Sequence, residues 1–302
     1  MLTFTNSINL FQTLTNNTST KNAELGATLI NNADAEVLAI ENWDFLEITK
    51  TTPTVASQQY YGMPFDLDTV KSVTVVIGST QYNARPIASR DEWNTLNETT
   101  AVLSDIPEWF YVTEGQIGLW PTPSTNGNIL KVSYELNRKD FSLSDYTTGT
   151  ISYVTTGLAQ VIGVGTTWTS KMNGMWIKIA DSLSNNTGDG VWYQIDSVTS
   201  NTTLNIVNAY GGQNISAGSC AYVIGQTSLI PSDFQVVPVY KAVSVYYTSI
   251  QPDVNRASEY KGFYAEGLAK MRIDNDKKVT SPVIDYGQRG GIQANANLFI
   301  TL

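Results

Sequence analysis

The 302-residue chain contains no histidine. That removes the side chain most used as a general base near neutral pH and the commonest ligand of transition metals, so triads and zinc sites built on histidine are excluded. It has one cysteine, Cys220, and therefore no internal disulfide. A lone small side chain in the strand-like run Cys220-Ala221-Tyr222-Val223-Ile224 reads as core rather than nucleophile. Charged residues make up 15%, against about 25% in typical globular domains, and Thr, Asn, Ser and Gly fill the difference, favouring strands and turns. No stretch approaches the roughly 20 apolar residues of a membrane span. The start, Met1-Leu2-Thr3-Phe4-Thr5, has no basic region followed by an apolar run, so synthesis in a cytoplasm without membrane attachment is expected.

What is present is enough apolar material, 42% with 11% aromatic, to bury a core, and by length roughly two domains. The 27 acidic and 18 basic residues give a formal charge of -9, which disfavours long-range attraction of nucleic acid. Lys277-Lys278, with Lys270 and Arg272 just before, is the densest basic group. It reads as a solvated last helical turn complementing the helix dipole. Double-stranded DNA is thus expected to pass such a surface without specific binding.

A short helix carries Ile8, Phe11 and Leu14, and a second helical stretch over about 21–47 repeats apolar positions at Leu25, Leu29, Ala33, Val37, Ile40 and Phe45. From Thr52 the character turns to strands: residues 70–77, the turn Gly78-Ser79-Thr80 and residues 81–87 read as a hairpin, and Trp109–Thr113 and 129–135 flank a Trp120-Pro121 corner. Residues 147–225 are short strands and glycine turns, with strands expected over 149–155, 160–164, 175–179, 192–198, 203–208 and 220–224. Helical spacing resumes at Val239, Tyr240, Val243 and Tyr247, and again from Asn255 through Tyr260, Phe263, Leu268 and Met271. The predicted class is α+β: a helical bundle formed by N- and C-terminal helices (1–50 and 228–285), a small antiparallel β-sheet region (51–146), an inserted all-β barrel or sandwich domain (147–227) and a C-terminal arm (286–302).

Few residues point to catalysis. Gly163-x-Gly165 lacks a third glycine and a following helix, there is no Gly-Lys-Ser/Thr phosphate loop, and no cofactor is expected. Asp66, Asp68, Asp105, Glu108, Asp181 and Asp189 include candidates for the carboxylate pair of a glycan hydrolase, but Asp in turns mostly bonds local backbone N–H groups. The Asp181–Asp189 loop also offers oxygens for calcium, without EF-hand spacing. Trp168, Trp176 and Trp192 either stack on sugars or fill the core of the insert, and core is the expectation.

The segment Gly115-Gln116-Ile117-Gly118-Leu119-Trp120-Pro121-Thr122-Pro123 between two strands resembles the corner of head-to-tail adaptor proteins of tailed bacteriophages. Glu41-Asn42-Trp43-Asp44-Phe45, then Tyr60-Tyr61-Gly62-Met63-Pro64-Phe65-Asp66, Val132-Ser133-Tyr134, Ile230-Pro231 and the stretch from Tyr260 to Asp276 are similar to that family in order and spacing. The resemblance covers about 20–146 and 228–285. It implies no catalysis but a dodecameric ring of identical copies in the virion neck, docked under the portal protein, meeting a tail tube or nozzle protein and continuing the DNA channel. Trp120, Pro121 and Pro123 are its corner motif. The arm residues Arg289, Gly290, Gly291, Leu298, Phe299, Ile300 and Leu302 are expected to dock on the portal, and 147–227 to touch tail fibres or collar proteins. The alternatives are a peripheral tail, baseplate or receptor-binding protein, for which no trimerising heptads or β-helix repeats are found, and a virion glycan hydrolase.

Overall fold

The computed structural model describes residues 1–64, 66–98, 103–113, 115–179 and 188–279. Helix α1 (Phe4–Thr15) is capped by Thr3, whose Oγ1 accepts the Asn6 amide, and ends at Asn16 in the left-handed region, which asparagine tolerates. Helix α2 (Thr20–Ala39) is capped in the same way by Ser19. The two helices approach closely because Gly26 faces Phe11: a Cβ there would lie 2.5 Å from the ring.

Strands β1 (Glu47–Pro53), β2 (Tyr60–Gly62), β3 (Leu67–Ile77), β4 (Thr80–Pro86), β5 (Trp109–Thr113), β6 (Gln116–Trp120) and β7 (Ile129–Leu136) form one sheet in the order β1-β7-β3-β4-β5-β6-β2. Every pairing is antiparallel except β4 with β5. The order starts and finishes on strands adjacent in the chain, so the sheet curls on itself. Leu130, Val132 and Tyr134 alternate inward along β7 with the period of a one-sided sheet, meeting Tyr61, Val73, Phe110 and Leu119 inside the curl. Helix α3 (Arg90–Glu98) covers one side through Trp93, which lies over Gly118 and stacks on Tyr111 at 5.5 Å.

A second sheet contains β8 (Thr150–Val154), β9 (Gln160–Val164), β10 (Trp176–Ile179), β11 (Trp192–Ser200), β12 (Thr203–Ile206), β13 (Ile215–Cys220) and β14 (Tyr222–Gly225), in the order β13-β8-β9-β12-β11-β10-β14. Only Ala221 separates the two end strands. One bent strand therefore pairs with β8 at its first half and with β10 at its second, joining the two margins of the sheet. Ile151, Val161, Trp168, Ile177, Ile195 and Ile224 lie in its core. The chain then forms α4 (Val237–Val245), one π-helical turn Tyr246–Ile250, and α5 (Val254–Val279). These pack on α1 and α2 through Phe11, Ile30, Val239 and Tyr246, and through Val37, Trp43, Leu268 and Met271.

This architecture overturns the expected helical bundle with a small antiparallel β region. Among the described residues there are fourteen strands in two curled seven-stranded sheets, the first of them mixed, and five α-helices. Three physical causes explain the difference. The apolar spacing that continues past Ala39 belongs not to α2 but to a 3-10 turn, Asp44–Leu46, followed directly by β1. There Trp43 folds back and its Nε1 donates to the Val37 carbonyl at 3.0 Å. Strands β2 and β6 are short and carry glycine. Strand β13 is built largely of small residues, which give almost no period-2 signal.

Candidate functional site

The corner is built by one carboxylate. Strand β6 ends at Trp120, and the Trp120–Pro121 peptide is cis. Asp105 Oδ1 accepts the Ser124 amide and hydroxyl, both at 3.0 Å, and the Thr125 amide at 2.8 Å; Oδ2 accepts the Thr125 hydroxyl at 2.8 Å. Burial is the largest single influence and opposes the charge, yet the four donors together hold the Asp105 carboxyl below the usual range. The Ser104 amide donates to the Thr122 carbonyl and the Ser57 amide to the Pro123 carbonyl. The Ala56 amide donates to Asn126 Oδ1 at 2.8 Å. Trp120, Pro121 and Pro123 thus stand where three loops converge, and both prolines are buried.

The second concentration of polar contacts lies where the two sheets join the helices. Asp34 of α2, about 1% exposed, accepts Arg138 Nε at 3.1 Å and the Ser228 hydroxyl. Arg138 also donates to the Asn31 carbonyl at 2.6 Å and to Asp140 at 2.7 Å. Burial drives the Asp34 pKa up, partly countered by Ser228 and Arg138. Asn31 clamps Phe141, accepting its amide at 2.8 Å and donating to its carbonyl at 3.1 Å. Gln226 Oε1 accepts the amides of Ser142 and Leu143, both at 2.7 Å. Both connectors of the second sheet, the one leaving β7 and the one following β14, are therefore tied to α2 and to each other. A cleft of about 170 Å³ opens here, between Asp66, Arg138, Lys171, Asn173, Gln194 and Thr227. It falls below the roughly 300–1,000 Å³ of small-molecule sites and is a gap between elements.

Of the carboxylates considered for hydrolysis, Asp66, Asp105 and Asp189 are engaged in structure. Asp66 accepts the Tyr134 hydroxyl at 2.7 Å and Lys50 Nζ at 3.0 Å. Burial, and then Asp66, push the Tyr134 hydroxyl well above its ordinary pKa. Asp105 is held by four donors, and its lowered pKa is the reverse of what a general acid needs. Asp68 accepts the neighbouring Thr69 hydroxyl, and Glu108 is exposed. Asp189 accepts the Val191 amide and the Tyr193 hydroxyl at the end of the loop whose residues 180–187, Asp181 included, lie outside the described residues. Tyr210, buried beside Asp189, is pushed up to about 12, by burial first. No group of three metal-binding side chains occurs among the described residues.

Cys220 is buried in the second core. Gly163 lies in β9 under Thr166 and Trp168, and Gly165 makes a turn at φ +68. Trp168 is core, its Nε1 donating to Tyr222 Oη at 2.9 Å. Trp176 and Trp192 depart from the core reading: they alternate with buried Ile177 and Tyr193, so they face outward and are half-buried, diagonal across the β10–β11 pairing. Lys270 pairs with Glu266 and Arg272 with Glu41, so neither is an open cation. The arm residues Arg289, Gly290, Gly291, Leu298, Phe299, Ile300 and Leu302 lie outside the described residues. The Asp34–Arg138–Ser228 cluster was not singled out in the sequence, since its members are far apart in the chain. The one available hint was an Asp on the apolar side of a helix.

No helix among the described residues is long and apolar enough to cross a membrane. A family model described as SU10 adaptor protein matches residues 2–160, just over half of the chain. The match spans α1, α2, the first sheet with its corner, the connector and β8. The comparison with curated proteins gives no match.

Proposed function

This chain belongs to the SU10 adaptor protein family, and from that premise we propose that it forms the ring joining capsid to tail in a phage virion, docked under the portal and continuing the DNA channel. It is a structural protein of the phage adaptor type. The observation that carries the ring proposal is the family match over 2–160, which takes in the whole first sheet and the loops converging on Trp120, Pro121 and Pro123. The net charge of -9 suits a conduit that DNA passes without adhering. In this reading identical copies associate head to tail, and a heterologous contact closes only when its rotation matches the ring symmetry, here taken as twelve. The portal then templates closure of a subunit that is monomeric beforehand.

The remaining assignments follow the same proposal. Residues 147–227 act as a unit reaching tail fibres or collar proteins, and a tail tube or nozzle protein binds the opposite face. The arm from Arg289, Gly290 and Gly291 to Leu298, Phe299, Ile300 and Leu302 docks on the portal, its apolar end being the kind of segment that gains by adding to a partner. Deleting residues 290–302 is expected to leave a folded protein that cannot be joined to heads, scored as free heads by microscopy of assembled lysates. Joined particles from that deletion would remove the arm from the account.

A further inference from the structure

Three stretches of chain meet where the second β unit joins the rest of the molecule: the two connectors and, wedged between them, residues 2–5, which run into the first turn of α1. Thr3 is fully buried and pairs with Thr227 as an isolated antiparallel bridge. The Phe4 amide donates to the Gln226 carbonyl at 2.7 Å. Thr3 Oγ1 donates to Asp145 Oδ2 at 2.8 Å, and Thr5 Oγ1 accepts the Asp145 amide at 2.9 Å. The Leu2 amide donates to Gln235 Oε1 at 2.6 Å, and the Phe4 ring stands 5.1 Å from Phe141. Gly225, the last residue of β14, is fitted to this segment. Its backbone is not left-handed, so glycine is needed there for space alone: a Cβ would lie 2.7 Å from Thr3 Cγ2 and 2.8 Å from Asp145 Oδ1.

Closure here carries a penalty, of the kind that Tyr210 Oη carries inside the second β core. Asp145 Oδ1 and Thr227 Oγ1 are buried without a hydrogen-bond partner among the described residues, and both regain solvent if the wedge lifts. Leu2 and Phe4 pack at the edge of the helical core, but residues 2–5 belong to neither of the two sheet cores, so the wedge can leave without opening either sheet. Local opening of this kind falls below global unfolding in free energy wherever few apolar contacts are broken.

We propose that residues 2–5 are a releasable latch, which fixes the second β unit at one angle to the rest of the molecule and, when withdrawn, lets it swing on its two connectors. The inference is independent of what that unit binds. Spin labels at Val207→Cys and Ile273→Cys, both exposed positions, report the angle as a distance in the full-length protein, with native Cys220 buried and unlabelled. One narrow distance distribution is expected for the otherwise native chain. Broad distributions are expected after Gly225→Ala, which drives a methyl into Thr3, and after Thr3→Val, which keeps the shape but removes the hydroxyl. Amide exchange in both variants is expected to accelerate at least about tenfold around residues 145–146 and 224–227, while the amides of Val132 and Ile195 keep their rates. Unchanged narrow distances in both variants overturn the latch. So does equal acceleration across both cores, which marks a general loss of stability. If Gly225→Ala does not fold, Thr3→Val alone decides between these outcomes.

Discussion

At Asp105 a single side chain holds a loop of eight residues through four hydrogen bonds. Bonds to a charged acceptor contribute about 1.5–3 kcal/mol each in favourable cases, less when solvent competes, so Asp105→Ala is expected to cost about 1–3 kcal/mol in urea unfolding. Its lowered folded pKa fixes the sign of the pH effect. The stabilisation is complete above the ordinary carboxylate value of 3.8 and is lost as pH falls through the lower folded value. Asp105→Asn is therefore expected to flatten the acid limb of the stability curve below pH 3.8 relative to the native chain. Asp34 has the opposite sign: with its folded pKa raised, its contribution is greatest below 3.8 and is lost as pH rises through the folded value. At neutral pH the buried charge depends on Arg138, so Arg138→Ala is expected to cost about 3 kcal/mol near pH 7 and distinctly less near pH 4, checked by thermal melts at the two values. Neither role was legible beforehand. An acid in a turn is expected to bond local backbone, whereas the partners of Asp105 lie 19 and 20 positions away; Asp34 and Arg138 meet only because the chain returns to α2 after the first sheet.

At the scale of elements, close approach is enforced by glycine. Gly26→Ala places a methyl against the Phe11 ring within the α1–α2 contact, and overpacking of this kind costs about 1–3 kcal/mol; loss of urea resistance with little change in helical circular dichroism is the expected signature. The β3–β4 hairpin was legible because dense β-branched residues run up to Gly78, which takes a positive φ in a two-residue turn. The spacing of helix α2 extends too far because Ile40 and Phe45 continue it, whereas the chain leaves the helix after Ala39 and Asp44–Leu46 packs as a 3-10 turn near α5. Strand β13 gives no apolar alternation to find it by, which left barrel and sandwich as open alternatives for the second sheet. The outward Trp176 and Trp192 were read as core because bulk and hydrophobicity carry no record of which face of a strand a residue takes.

For the whole molecule, strands rather than helices carry the fold, and the helices form a layer against which both curled sheets are tied. The second sheet has its own core, its margins are joined by one bent strand, and we propose that residues 144–227 expressed alone fold cooperatively; a flat thermal melt for that fragment would contradict this. The central claim is the ring under the portal. It is tested most directly by electron microscopy of the purified full-length chain mixed with its cognate portal protein. A ring of this chain capping the portal, absent when the chain is imaged alone, is the predicted result. Trimers, or no association with the portal, would contradict the adaptor assignment and place the protein at the periphery of the tail.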